Sequence, residues 1–114
     1  MTRVFKVGGR PQRDPALPAV LADAHRNAPG SIVIVHGGGD EVSALQRLHG
    51  VAAQFSGGRR VTNVADLEIL RMALSGSANK RLVASLNDQG AAAVGLSGED
   101  GGLLRATPLD RALY

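Results

Sequence analysis

The chain has 114 residues, of which 44% are apolar and 20% charged, the size and composition of one globular domain and not of a disordered segment. It has no cysteine, which excludes disulfide frameworks, thiolate zinc sites and cysteine nucleophiles, and its 3% of aromatic residues argues against base-stacking nucleic-acid modules. The net charge of +3 comes from eleven arginines and two lysines interleaved with ten carboxylates, which we interpret as solvated surface and not as a nucleic-acid footprint.

The first half of the chain alternates apolar runs with amphipathic stretches. A strand is predicted over Arg3–Val7, and residues 17–24 then repeat their apolar positions at helical spacing. Residues 31–35 are predicted as a second strand, because an unbroken β-branched run is typical of a strand buried on both faces of a parallel sheet. A second helix, with apolar positions over residues 42–48, is predicted to end near Gly50.

The second half begins with a predicted β-hairpin within residues 51–62, which holds a glycine pair between two short runs. Asn63 is expected to cap a third helix, which Gly76 either breaks or only bends. The helical pattern then continues to Gly90, and residues 91–94 are a candidate for a third buried strand. This alternation of strands and helices predicts an α/β fold.

Glycine clusters follow each of the three predicted strands, at residues 8–9, 37–39 and 95–98. If the strands are parallel, all three clusters lie at the carboxyl edge of one sheet, where open α/β sheets bind ligands. Backbone N–H groups of glycine can approach an anion closely, and a helix that starts just after adds its positive end. Each cluster alone also fits a tight turn, but the three together predict an anionic, phosphate-bearing ligand.

Several familiar motifs are absent. Residues 37–42 fail the dinucleotide fingerprint, no Walker-type P-loop is present, and residues 95–99 lack the final glycine of a nucleophile elbow. The three histidines lack metal-ligand spacing, so no metal site is predicted. His36, at the end of a predicted buried strand, is interpreted as a hydrogen-bonded structural residue and not as a proton shuttle.

Lys6 is the candidate catalytic residue. It is one of only two lysines, it lies in an apolar strand, and it precedes Gly8 by two residues. At the end of a strand its ammonium can reach the sheet edge and neutralise a transferring phosphoryl group, a step that depends mainly on positioning and positive charge. The alternative is a lysine on a solvated edge strand.

Five short motifs occur in a fixed order along the chain. They are KVGG from Lys6, VHGGG from Val35, FSGGRRVT from Phe55, NK from Asn79 and GLSGEDG from Gly95. From about residue 3 to residue 106 the chain resembles the amino-acid kinase family, and within it the acetylglutamate kinases of arginine biosynthesis. The resemblance implies a three-layer αβα sandwich around a mainly parallel sheet, of which this chain is the incomplete N-terminal part.

The family transfers the γ-phosphoryl group of Mg-ATP to the side-chain carboxylate of N-acetyl-L-glutamate, which gives an acyl phosphate. The resemblance implies that Lys6 stabilises the transferring phosphoryl group, that Gly8 and Gly9 contact the nucleotide phosphates, that Gly38 and Gly39 contact acetylglutamate, and that Arg60 pairs with its α-carboxylate. Arginine suits a planar carboxylate, and a substrate that is already a carboxylate needs no general base. The Mg²⁺ is not expected to be held by side chains of this segment.

Three departures from the family pattern concern single positions. Arg10 stands where a small polar residue is common, Asn63 replaces an aspartate after RVT, and Ala78 replaces a valine before Asn79. These departures leave open a sibling kinase that phosphorylates aminoadipate or glutamate carried on a small acidic protein.

The largest departure is length, because family chains are more than twice as long. The missing part resembles the ATP-binding portion, so residues 1–114 are expected to be the amino-acid-binding portion and to be inactive alone. The resemblance implies a homodimer in the full-length protein. A cytoplasmic location is expected, since no run reaches the ~18 apolar residues of a membrane span and the start does not resemble a signal peptide. A truncated, non-catalytic amino-acid-binding module is the alternative.

Overall fold

A computed structural model describes residues 1–28, 30 and 32–109. In chain order its elements are β1 (Arg3–Val7), α1 (Leu17–Asn27), β2 (Ile32–His36), α2 (Gly39–Leu48), β3 (Phe55–Ser56), β4 (Arg59–Arg60), α3 (Val64–Leu70) and α4 (Asn79–Asp88). Short 3-10 turns occupy Pro11–Arg13 and Asp100–Gly102, and a π-helical segment over Arg71–Ala78 joins α3 to α4. The fold is therefore mixed α/β, as the alternation of patterns predicted.

The strands β1 and β2 pair in parallel, with Lys6 beside Val35 and Val7 beside His36. One further bond extends the pairing, because the Gly37 N–H donates to the Val7 carbonyl at 2.9 Å. The glycine clusters after these two strands therefore lie at the same edge of the sheet, as predicted. Ser31, the predicted first residue of the second strand, lies outside the described residues.

The core lies on one face of this sheet. Phe5 and Ile34 pack there against buried side chains of α1 and α4, chiefly Leu21, Leu82 and Leu86. The opposite face, called the bare face below, presents Val4, Lys6, Val33 and Val35, and its valines are 65%, 48% and 53% exposed. The prediction that β2 is buried on both faces is therefore wrong for the described residues, since α1 and α4 cover only one side.

Residues 91–94 form no strand, contrary to the sequence-based prediction. The Ala93 N–H donates to the Ala91 carbonyl and to Asn87 Oδ1, both at 2.8 Å. These local bonds take the place of pairing with β1 or β2, and alanine has little intrinsic preference for a strand. Ala91 is nevertheless buried in the core.

The predicted hairpin is confirmed, because β3 and β4 pair antiparallel around Gly57 and Gly58. Both glycines have positive φ, 54° and 75°, as a type I′ turn requires. The predicted cap is confirmed as well. Asn63 Oδ1 accepts the Asp66 N–H at 2.9 Å, and the Asp66 carboxylate accepts the Asn63 N–H at 3.4 Å, which is a capping box.

Gly76 does not break the long helix. It lies inside the π-helical segment, and the backbone is helical at both junctions of that segment with α3 and α4. The segment packs against the start of α2, where a Cβ built on Gly38 would lie only 2.7 Å from Leu74 Cδ2. The helix ends before Gly90, whose φ of 80° fits the predicted stop. No helix in the described part of the chain has the length and apolarity to cross a membrane.

Candidate functional site

The first two glycine loops touch each other at the carboxyl edge of the sheet. A Cβ built on Gly9 would lie 3.1 Å from Gly38 Cα and 3.3 Å from Gly38 N, so the two backbones are in close contact. The Gln12 side chain also joins the loops, since its Nε2 donates to the Gly37 carbonyl at 2.7 Å and lies 3.4 Å from the Gly8 carbonyl. The edge is thus a packed junction of two loops.

This junction presents free backbone donors. The amide N–H groups of Gly8, Gly9, Gly38 and Gly39 have no hydrogen-bond partner among residues 1–28, 30 and 32–109. Gly39 begins α2, so the last two donors belong to the positive end of a helix. Free N–H groups on two adjoining loops fit the oxygens of a phosphate group.

Two carboxylates in the first turn of α2 would repel an anion, but each is paired with an arginine. Arg10 Nε lies 3.3 Å from Asp40 Oδ2, and the Arg81 guanidinium contacts Glu41. Arg10 is one of the positions where the chain departs from the family pattern. Its guanidinium offsets the charge of Asp40 beside the glycine loops, which keeps this edge open to an anion.

Lys6 lies on the bare face beside Val35, two residues before Gly8. It is exposed, and no hydrogen bond or ion pair links its ammonium to another residue that the structure describes. The structure therefore puts Lys6 near the predicted edge without fixing its side chain. Its role in phosphoryl transfer stays a prediction.

Arg60 is held firmly against the start of α2. Its Nη1 donates to Gln46 Oε1 at 2.6 Å, and its Nη2 donates to Ser43 Oγ at 2.9 Å and to the Gly39 carbonyl at 3.1 Å. The Phe55 ring lies below the guanidinium, 4.8 Å from Cζ to the ring centroid. Of the five N–H donors of arginine, the Nε–H and one Nη1–H have no partner among the residues that the structure describes. They lie on opposite edges of the guanidinium, so each can meet a ligand oxygen singly. Two predicted site residues, Arg60 and Gly39, are thus in direct contact.

His36 has both ring nitrogens engaged within the protein. Nδ1 donates to the Gly37 carbonyl at 3.0 Å, which leaves Nε2 to accept from Asn79 Nδ2 at 3.1 Å. His36 is thus hydrogen-bonded within the protein through both ring nitrogens, as predicted. Asn79 also adjoins the third glycine loop, because a Cβ on Gly95 would overlap Asn79 Oδ1. That loop therefore reaches the end of β2 through Asn79 and not through a third strand.

A separate groove of about 400 Å³ lies between the π-helical segment and residues 96–99. Leucines form much of its wall, and its charged members Arg71 and Glu99 are paired at 2.8 Å. The hydrogen bond that Arg71 donates to Glu99, followed by the one that it donates to Glu68, raises the pKa of Arg71. None of the six predicted site residues lines this groove, so the candidate site is the open edge at the glycine loops.

Three side-chain amides organise this region, and sequence reasoning singled out only one of them. Asn79 belongs to a recognised motif, but Gln12 and Gln46 carry no sequence signal, since their partners lie 14 to 25 residues away. In the described part of the chain no three His, Asp or Glu side chains lie close enough to share a metal ion.

Comparison with known proteins places these features in a family. The sequence matches the amino acid kinase family model over residues 1–113. It is 40% identical to an acetylglutamate kinase of Parvibaculum lavamentivorans over 99% of this chain and 38% of the relative. The identity is 43% to acetylglutamate kinases of Chloroflexus aurantiacus, over 92% of this chain and 41% of the relative, and of Geobacillus kaustophilus, over 97% and 43%.

The chain therefore spans about two fifths of the length of these curated relatives. The family match extends over nearly all of its residues and includes both glycine loops, the hairpin and the long helix. The chain belongs to the amino acid kinase family.

Proposed function

We propose that this chain is the amino-acid-binding part of an acetylglutamate kinase. Such an enzyme transfers the γ-phosphoryl group of ATP to the side-chain carboxylate of N-acetyl-L-glutamate. The observation that carries the proposal is Arg60, which is fixed against Gly39 beside the free N–H groups of the glycine loops. The names of the relatives favour acetylglutamate over a carrier-linked amino acid as the substrate.

In this proposal the α-carboxylate of acetylglutamate pairs with the Nε–H of Arg60. The backbone N–H groups of Gly38 and Gly39 contact the same molecule. Arg60 already has its geometry fixed by Gln46 and Ser43, so little side-chain entropy is lost on binding. A charge-assisted pair with a planar carboxylate then contributes both affinity and orientation.

The phosphate side of the site uses different groups. The N–H groups of Gly8 and Gly9 contact nucleotide phosphates, and the Lys6 ammonium offsets charge on the transferring phosphoryl group. ATP, when bound, supplies that group: a carboxylate oxygen bonds to the γ-phosphorus, and the bond to the ADP oxygen breaks. The substrate is ionised already, so no residue has to remove a proton. As the resemblance implies, we assign the Mg²⁺ that accompanies ATP to groups other than the side chains of this segment.

The remaining length of the relatives is assigned to the binding of adenine and ribose and to a further layer of the fold. The exposed valines of the bare face support a layer that covers them in the full-length protein. The three-layer sandwich, the homodimer and the cytoplasmic location are predictions of the resemblance. We expect the 114-residue chain alone to form no acyl phosphate that hydroxylamine traps in the presence of ATP, and appreciable product would contradict this.

The binding proposal is tested by calorimetric titration of N-acetyl-L-glutamate into the 114-residue chain and into Arg60→Ala. We expect loss of about 2–3 kcal/mol of binding free energy, because the carboxylate loses its charged partner. Arg47→Ala is the matched control, since Arg47 is an exposed arginine of α2. Equal affinity of Arg60→Ala and the wild type would refute the proposal. If the wild type binds L-glutamate or aminoadipate more tightly than N-acetyl-L-glutamate, the substrate is that of a sibling kinase.

A further inference from the structure

We infer that Gln46 is a positioning residue for Arg60, and that Asp66 fixes the direction in which the side-chain amide of Gln46 points. The inference rests on the proposed function, because it concerns how the proposed substrate-binding arginine is held. Gln46 and Asp66 are not among the site residues that the sequence motifs identified.

The three side chains form one buried chain of hydrogen bonds. Gln46 Oε1 accepts from Arg60 Nη1 at 2.6 Å, and Gln46 Nε2 donates to Asp66 Oδ1 at 2.8 Å. Gln46 is 0% exposed and Asp66 is 6% exposed. The chain of bonds connects α2, the hairpin and the start of α3, so the orientation of Arg60 depends on three elements at once.

The Gln46 amide satisfies both ends of this arrangement. The Asp66 carboxylate can only accept, while the Arg60 guanidinium can only donate. The residue between them must therefore donate at one end and accept at the other, which a primary amide does. A carboxylate at position 46 would face Asp66 without a hydrogen, and an apolar side chain would leave both partners unpaired in a buried place.

Asp66 is itself fixed by the cap of α3. Its backbone N–H donates to Asn63 Oδ1 at 2.9 Å, and its second carboxylate oxygen lies 3.4 Å from the Asn63 N. The helix cap thus fixes Asp66, Asp66 fixes the Gln46 amide, and the amide fixes Nη1 of Arg60. Ser43 and Gly39 hold only Nη2, so Gln46 is the contact that sets which donors stay free for a ligand.

The first test replaces the amide while keeping its length. In Gln46→Met we expect the dissociation constant for N-acetyl-L-glutamate to rise about tenfold, because Arg60 loses its hydrogen bond to Gln46 and Gln46 loses its bond to Asp66. The Arg60 Nε–H signal in a ¹⁵N–¹H spectrum is expected to broaden and to exchange faster with water. Gln54→Met is the control, because Gln54 is exposed beside the hairpin, and it should change neither quantity.

The second test exchanges the side-chain amide at position 46 and the carboxylate at position 66. Gln46→Glu alone should weaken binding at least about tenfold, because two buried carboxylates then face each other. Adding Asp66→Asn supplies an amide that donates to the new carboxylate and still accepts the Asn63 N–H. We expect this double variant to recover affinity to within about threefold of the wild type and to restore the Arg60 Nε–H signal. A packing role for Gln46 predicts no such recovery.

The outcomes separate this inference from the proposed function. If Arg60→Ala abolishes binding while Gln46→Met keeps both the affinity and the Arg60 signal, the inference is wrong and the proposed function stands. If Arg60→Ala binds acetylglutamate normally, the proposed function fails, and an unchanged Arg60 signal in Gln46→Met still overturns the inference. If Gln46→Met does not fold, the variant that combines Gln46→Glu with Asp66→Asn tests the inference instead. Failure of this variant to restore the Arg60 Nε–H signal would contradict the positioning role of Gln46.

Discussion

Arg60 and Lys6 are the two cations assigned to the proposed site, and the molecule holds them in opposite ways. Arg60 makes three hydrogen bonds within the protein and lies over the Phe55 ring. Lys6 extends from the bare face, exposed and with no partner among residues that the structure describes. In the proposed site the cation on the amino-acid side is therefore held by residues of this chain, whereas no described residue holds the cation on the phosphoryl side.

The difference follows from the parts of the fold that carry the two residues. Arg60 lies where the hairpin, α2 and α3 meet, so several elements supply partners for its guanidinium. Lys6 lies on a sheet face that α1 and α4 leave uncovered. A side chain fixed before binding loses little entropy when the ligand arrives, while a free lysine must be ordered at that moment.

The largest effect on stability is expected where the two regions touch. In Gly9→Ala the new Cβ meets the Gly38 backbone at 3.1 Å, and backbone cannot yield as a side chain can. We expect a loss of about 1–3 kcal/mol in the free energy of unfolding, measured by urea denaturation. Gly8→Ala is the matched control, because its Cβ would meet only Pro11 Cδ at an ordinary 3.5 Å. Equal stability of the two variants would show that the loops are not packed as described.

The next largest effect on stability is expected from removing one of the two cations, Arg60. Arg60→Ala should lower the free energy of unfolding by about 1–2 kcal/mol, because the buried Gln46 Oε1 loses its donor. Lys6→Ala should stay within about 0.5 kcal/mol of the wild type, as expected for an exposed residue without partners. Thermal or urea denaturation measures both variants. A larger loss of unfolding free energy in Lys6→Ala than in Arg60→Ala would contradict the description of Arg60 as held by the fold and of Lys6 as unpartnered among the described residues.

A substitution at Gly39 is expected to change ligand affinity while leaving stability nearly unchanged. A Cβ at this position meets only Arg60 Nη2, at 3.9 Å, so Gly39→Ala should fold with a stability within about 0.5 kcal/mol of the wild type. If acetylglutamate lies against Gly39, the added methyl group occupies its place and affinity should fall about tenfold, near 1.4 kcal/mol. Calorimetry gives the affinity and urea denaturation the stability. Unchanged affinity in the folded variant would remove Gly39 from the site.

The smallest effect is expected at the third glycine loop. The backbone N–H and hydroxyl of Ser97 hold the pKa of Asp100 below its ordinary value. A lowered pKa in the folded chain means that the contribution to stability is present above the unfolded value of about 3.9 and is lost as pH falls through the folded value. An NMR titration of the Asp100 carboxyl carbon should show a lowered pKa in the wild type and a less lowered pKa in Ser97→Ala, because the variant loses the hydroxyl bond but keeps the larger contribution of the backbone N–H.

Local patterns allowed much of the fold to be predicted. The hairpin at Gly57–Gly58 and the Asn63 cap depend on residues close together in the sequence. Each strand of the parallel pair was predicted from its own apolar run, although the pairing itself joins distant residues such as Arg3 and Ile32. The burial of β2 was mispredicted because burial depends on what covers each face, which a β-branched run does not encode. Residues 91–94 form no strand because their alanines lack β preference and their backbone bonds are local.

The glycine loops and the arginine of the candidate site were predicted from the sequence. The side-chain amides that hold these parts in place were not. Gln46 bonds to residues 14 and 20 positions away, and Asn79 bonds to a histidine 43 positions away. Such pairs arise only when the folded chain brings distant segments together. A buried amide also looks like any surface glutamine in the sequence, because nothing local distinguishes its environment.

In the proposed function the amino-acid side of the site lies within this chain and is centred on Arg60. The most direct measurement is a side-by-side calorimetric titration of N-acetyl-L-glutamate into the wild type, Arg60→Ala and Lys6→Ala. We predict that the wild type and Lys6→Ala bind within about twofold of each other, while Arg60→Ala binds at least about thirtyfold more weakly, near 2 kcal/mol. Equal binding by all three chains, or loss of binding in Lys6→Ala with retention in Arg60→Ala, would contradict the account.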